Sequence, residues 1–300
     1  MSVLWFNPVQ DPFVAWPEPN KQSGIENLPP PPLNLSTSEY PWASQLVAAA
    51  SRVLDAAGVS HCLWGDLLNR WRGNPHIPAF CGFVVSSDDL TLARIAITRA
   101  GLPPCNCKSY IHCSGDYDYG SRRIHFPIKG LPTSELFLVG DAELLYLIPL
   151  LSSHPNPAHL EFEEISLSLG QGDKQTQKVR ALTRSSLIKI YLLGFALSSS
   201  VGCQESTAGY TYGKLLLLMT TSEYPYDSRD LGAATEGMRT LWDVFCHNFD
   251  PSIFRNQPIR DPIRLEWDSW LRERFPDTYR PLSTKGSSTL SPNATVTVVP

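Results

Sequence analysis

Apolar positions along the chain fall into two regimes. Up to about residue 150, short apolar runs suited to strands alternate with helical spacing. Beyond Thr183 the spacing is helical almost throughout. The first helix is predicted over Pro41–Ala57, where Leu46, Val47, Ala50, Val53 and Leu54 repeat on one face, with Ser38 as its cap and Gly58 as its stop. Ser60–Trp64 reads as a short buried strand. Gly65 turns the chain into a short helix, Asp66–Trp71, which Gly73-Asn74-Pro75 breaks. Phe80–Val85 is the second strand. Ser86 or Ser87 is expected to cap the next helix, with Asp88 and Asp89 in its first turn and Gly101 at its end.

Leu102–Gly120 reads as a loop. Two strands are then expected, Arg123–Ile128 and Glu135–Val139, followed by a helical stretch from Asp141 to Tyr146 that stops before Pro149. In the second half Leu160–Leu169 is a strand candidate, and polar Gln171–Lys178 reads as a loop. Helices are predicted over Leu187–Leu197, Tyr212–Met219, Thr235–Cys246 and Pro262–Phe275. The expected class is therefore α/β (α+β), with a small mixed β-sheet core over residues 39–150 and a mainly helical region over 151–276. Proline- or Ser/Thr-rich tails, expected to be disordered, fill 1–38 and 277–300. The first tail contains Trp5, Phe6, Phe13 and Trp16, aromatics that can dock on the body or on a protein partner. Its Pro29–Pro32 run reads as a spacer rather than as a ligand for a recognition domain.

Composition adds limits. Hydrophobic residues make up 42% of the chain, so a sizeable core can be buried. The formal net charge is −4 and no basic block stands out, so a general footprint for nucleic acid is missing. Met1–Pro30 lacks the pattern of a secretory signal, and Leu215–Met219 is too short to cross a bilayer. The expectation is an intracellular, cytoplasmic protein with its seven cysteines as free thiols.

The segment Gly58–Gly101 carries a resemblance. Ala57-Gly58-Val59 leads into the His61–Trp64 strand, the Gly65-Asp66 step opens a helix, and Phe83-Val84-Val85-Ser86 runs into the next helix. This order resembles the nucleotidyltransferase-fold (polymerase-β-like) proteins of filamentous fungi, and the Glu135–Pro149 stretch is similar too. In that family the second strand carries two acids two residues apart, which lie on one strand face and hold magnesium. Here the matching positions are Phe80 and Gly82, and Ile77–Ser87 contains no carboxylate. The resemblance thus implies the fold without its usual chemistry: a non-catalytic binding or interaction protein that needs no cofactor. Its candidate ligand cleft is formed by Gly65, Asp66, Arg70, Phe80 and Gly82, with Arg72 nearby. The alternative is an active, magnesium-dependent enzyme drawing carboxylates from Glu135, Glu161 or Glu163.

Other constellations are weaker. Cys105, Cys107, His112 and Cys113 are zinc-ligand types, with His125 as a further candidate, but their spacing fits no standard zinc module. Cys113 with His125, or Cys246 with His247, could form a thiol–imidazole pair. The latter two are adjacent on a helix and do not face each other. No G-x-S-x-G or Walker A pattern is present, and the aromatic stripes on the last two helices, such as Trp242 and Trp267, read as core.

Overall fold

The computed structural model describes residues 28–36, 43–73, 78, 80–105, 124–128, 135–141, 158–170, 175–197, 231–248 and 257–274. The elements in chain order are α1 (Ala43–Ala56), β1 (His61–Gly65), α2 (Asp66–Trp71), β2 (Phe80–Val85), α3 (Leu90–Arg99), β3 (Ile124–Pro127) and β4 (Glu135–Gly140). Then come β5 (Phe162–Ser168), β6 (Thr176–Leu182), α4 (Arg184–Leu197), α5 (Glu236–Asn248) and α6 (Gln257–Arg274). The α+β class expected from the sequence is what the chain adopts. The Tyr212–Met219 helix, the Asp141–Tyr146 stretch beyond Asp141 and the tail after Asp277 lie outside the described residues.

Four strands form one mixed sheet in the order β1-β2-β4-β3. β1 and β2 are antiparallel with Trp64 opposite Gly82, and β2 and β4 are parallel with Gly82 opposite Phe137. β3 returns antiparallel to β4 with His125 opposite Phe137. Residues opposite one another share a sheet face. One face therefore carries His61, Leu63, Phe83, Val85, Leu136, Leu138 and Phe126. It is covered by α1 and α3, which also pack on each other. The other face carries Trp64, Gly82, Phe137 and His125 in one row. β4 is buried at all six positions, so both faces are covered.

The β5–β6 hairpin forms a separate two-stranded sheet that lies against β1 and α1. β6 corrects the expected Gln171–Lys178 loop, since Thr176–Lys178 open a strand. Thr176 and Lys178 are exposed on the outward face, while half-buried Gln177 shares the face of the buried Val179 and Ala181. Gln177 reaches the Asp55 carboxylate of α1 at 2.6 Å. Residues 28–36 are also more ordered than the composition suggests. Leu35 is wholly buried and its N–H donates to the Ala100 carbonyl, so this part of the proline-rich tail belongs to the folded body.

Two helix starts differ from expectation. α3 begins at Leu90, and Asp89 takes the N-cap position without a side-chain cap bond. Ser87 is instead held by Asp141, which accepts from its N–H at 2.9 Å and its hydroxyl at 2.8 Å. Burial raises the pKa of Asp89, with the Asp88 and Asp141 charges adding to the effect. α6 starts at Gln257 and carries Pro262 inside it, at the loss of one backbone hydrogen bond in its second turn.

α4, α5 and α6 pack on one another around Trp242 and Trp267. Their join to the rest of the chain includes a buried polar tie. Lys189 in α4 is fully buried, and its ammonium donates to the His159 carbonyl at 3.0 Å and to the Ala233 carbonyl. Burial lowers its pKa; the Glu161 charge pulls the value back up and Arg239 lowers it. One side chain thus ties α4 to the segments leading into β5 and into α5. Lys189→Met keeps the apolar stem but leaves both carbonyls without this donor. It is expected to lower unfolding stability by about 1–3 kcal/mol, read from the urea midpoint. An unchanged midpoint would show that the ammonium does not hold these segments.

Candidate functional site

The glycine step and the expected acidic positions meet at one end of the mixed sheet. β1 ends at Gly65 beside Cys81, and the next position along β2 is Phe80, opposite Glu135 of β4. Gly65 adopts φ +91°, a conformation that side chains rarely take. A Cβ there would land on the Phe80 carbonyl oxygen and 3.1 Å from Cε1 of Phe137. Gly65 itself stands at the N-cap position of α2.

Asp66 is the first residue of α2, since the glycine turn supplies the cap position. Its carboxylate accepts from the Phe80 N–H at 3.2 Å and so fixes the start of β2. The negative charge is spent on the protein's own backbone at the point where a phosphate would need a positive field.

Gly82 stands at the second position where the resemblance would place an acid. A Cβ on Gly82 would fall on the Phe137 carbonyl oxygen and 2.7 Å from Cγ of the Phe137 ring. The ring lies against the glycine and is itself buried, at 3% exposure. On the β1 side, Trp64 flanks the same row and meets Tyr191 of α4, with ring centroids 6.2 Å apart. The Tyr191 hydroxyl donates to Asn69 Oδ1 at 2.6 Å, linking α4 to α2. Trp64, Phe137 and Tyr191 make this face of the sheet an aromatic layer.

The alternative carboxylates do not gather. Glu135 is buried at the start of β4, next to Phe80. Glu163 is in the other sheet, paired with the Arg72 guanidinium, which also donates to the Leu182 carbonyl at 2.9 Å. Arg72 is therefore engaged in joining α2 to the hairpin and is not poised for an anion. Glu161 precedes β5, is exposed, and receives no role beside Gly65: its N–H donates to Ser186 Oγ at 2.7 Å. Arg70 is exposed on α2. Of the expected cleft, the structure brings Gly65, Asp66, Phe80 and Gly82 together, with Glu135 alongside.

Cys107, His112 and Cys113 of the zinc candidates lie outside the described residues. Cys105 is half-buried, and its N–H donates to the His125 carbonyl at 2.9 Å. Among the described residues no three His, Cys, Asp or Glu side chains group to hold a metal ion. Burial pushes the Cys62 thiol up to about 12. The Cys81 thiol is raised by burial as well, with Asp66 adding to it, so both stay protonated at neutral pH.

Two arrangements were not foreseen in the sequence. The decisive one is Phe137. A lone glycine inside an apolar strand does signal a close neighbour, but not which residue supplies it. The second is Ser51, His61 and Asp55. His61 Nδ1 donates to the Val59 carbonyl at 2.9 Å, so Nε2 is the acceptor for the Ser51 hydroxyl at 2.7 Å. The Asp55 carboxylate stands 4.0 Å from Nδ1. The composition is that of a hydrolytic triad, yet Ser51 is fully buried under the sheet and Nδ1 serves a carbonyl. The network locks the end of α1 to β1.

No protein-family model, curated protein or solved structure matches this chain.

Two outcomes follow from this geometry. Gly82→Asp is expected to destabilise the fold by at least about 3 kcal/mol, by overpacking and by burying a carboxylate. Adding Phe137→Ala should recover part of that loss in denaturant unfolding. A Gly82→Asp midpoint equal to the parent's would mean that the ring yields freely. For His61, burial lowers the pKa, partly offset by the Val59 carbonyl and the Asp55 charge. The unfolded ring takes a proton below about pH 6.5 while the folded ring resists it. Stability should hold above pH 6.5 and fall progressively below it, until the folded ring itself protonates. His61→Gln should flatten that part of the pH–stability curve.

Proposed function

We propose that this chain is a non-catalytic nucleotidyltransferase-like protein with a binding or interaction role. The observation that carries this reading is the Phe137 ring lying against Gly82: the second acidic position is closed to any side chain, not merely occupied by a different one. Several features support kinship with the resembled family. The His61–Gly65 and Phe80–Val85 strands are neighbours in one mixed sheet, a glycine with positive φ turns the first into α2, and β4 runs parallel to β2. Nucleotidyl transfer needs carboxylates converging on a divalent ion beside the triphosphate. At this end of the sheet Asp66 is bound to the backbone of Phe80, and the face on which the resemblance would put a metal is an aromatic layer.

One observation favours the second reading, an active magnesium-dependent enzyme with carboxylates from other positions. Asp66 and Glu135 both stand next to Phe80. They would be the pair that holds the ion.

Calorimetric titration with ATP, GTP and CTP, with and without magnesium, separates the two. The expected result is no magnesium-dependent heat with any nucleotide and no pyrophosphate release. Magnesium-dependent binding that disappears in Glu135→Gln, together with turnover, would replace the first reading with the second. Among the described residues no helix is long and apolar enough to cross a membrane.

A further inference from the structure

We propose that the exposed Pro29–Pro32 run is a docking ligand for a protein domain whose aromatic groove reads extended proline helices, independently of what the sheet site does. The sequence alone favours a spacer, since a proline run joined to a tail usually only separates two parts. The structure changes the balance because the run is fastened at both ends. On its N-terminal side the Arg99 guanidinium donates to the Leu28 carbonyl at 3.3 Å. On its C-terminal side Leu35 is fully buried in the core, and its N–H donates to the Ala100 carbonyl. Leu33 packs against the same core, and Asn34 Oδ1 accepts from the Ser36 N–H at 3.0 Å, which holds the exit of the strap.

Between these anchors all four prolines are exposed, although one side of the strap faces Val53, Ala57 and Ala96 of α1 and α3. A spacer needs neither anchors nor a surface to rest on. Proline fixes φ near −65° and has no N–H, so the run has carbonyl acceptors but no donors of its own. Consecutive prolines favour a left-handed helix of three residues per turn, with ridges that fit between parallel aromatic side chains. A partner groove of that kind supplies the donors as well, from indole N–H or tyrosine O–H groups. A free peptide loses conformational freedom on docking. Here the flanks are already ordered by Leu28, Leu33 and Leu35, so less is lost.

The test is calorimetric titration of the full chain with an SH3 domain and a WW domain as probes, alongside a peptide of residues 26–36. At least one probe is expected to bind the full chain about fivefold more tightly than the peptide. Pro30→Ala/Pro31→Ala should remove binding from both, read well below the variant's own thermal midpoint because these prolines also face α1 and α3. Leu35→Ala should weaken binding to the level of the peptide. Because that change also touches the core, Arg99→Ala serves as the surface control and should shift affinity in the same direction. No binding of the full chain to either probe, or binding equal to or weaker than the peptide's, would overturn the proposal and leave the run as a strut.

Discussion

The contact of the Phe137 ring with Gly82 is the constraint on which the rest of this structure depends. It is a contact between neighbouring parallel strands, so it is set by register. A one-residue slip of β4 against β2 would turn Phe137 to the opposite face and leave Gly82 uncovered. The ring also reaches the Gly65 turn, so the same side chain limits where β1 ends and α2 begins. From there the order spreads along the row. Trp64 extends the aromatic layer, Tyr191 covers Trp64, and the Tyr191 hydroxyl holds Asn69 of α2. The interior that results on this face is apolar and buried. An aromatic ring of this size brings a large buried area and cannot be removed without a cavity.

The second half of the chain is fastened differently. Between the mixed sheet and the hairpin, and between α4 and its neighbours, long cationic side chains reach backbone carbonyls. Arg72 serves Leu182, and Lys189 serves His159 and Ala233. Each places a charge where it is partly or fully out of water, which is costly unless the donors are used. Each therefore gives direction as well as attraction: an apolar contact can slide, whereas a guanidinium between Leu182 and Glu163 has one good position. This explains how a separate hairpin can sit at a fixed place against β1 without joining its ladder.

Much of the first half was legible because its elements obey local rules. Helical spacing of Leu46, Val47, Ala50, Val53 and Leu54, the Gly65 turn, and the apolar Phe80–Val85 run each announce themselves within a few residues. What escaped was non-local. β6 looks like a polar loop until its partner β5 gives it an inside and an outside. Pro262 looks like a helix start until the helix around it is seen to extend through it. At the site, the absence of acids from Phe80 and Gly82 could be read directly. The occupant of that space could not, because Phe137 lies 55 positions along the chain from Gly82 and meets it only through the parallel pairing. The role of Asp66 was hidden for a similar reason: its partner, the Phe80 N–H, lies 14 residues away across a segment with no periodicity.

The glycine and the ring are better understood as a matched pair than as two separate departures. A glycine in the middle of a buried strand, taken alone, weakens it by lost side-chain contact and added chain entropy. A phenylalanine at 137 opposite any larger residue would have no room. Together they cancel: the ring fills the volume that the missing side chain leaves, and the strand regains buried apolar surface. The energies of the two positions are therefore coupled, as expected for residues in direct contact. A consequence concerns the sheet as a whole. In a metal-binding version, stability at this end is shared with the bound ion, and the unliganded site keeps carboxylates close together at a Coulombic cost. Here the same end is held by packing: Asp66 accepts from the Phe80 N–H, and Glu135 is buried opposite Phe80.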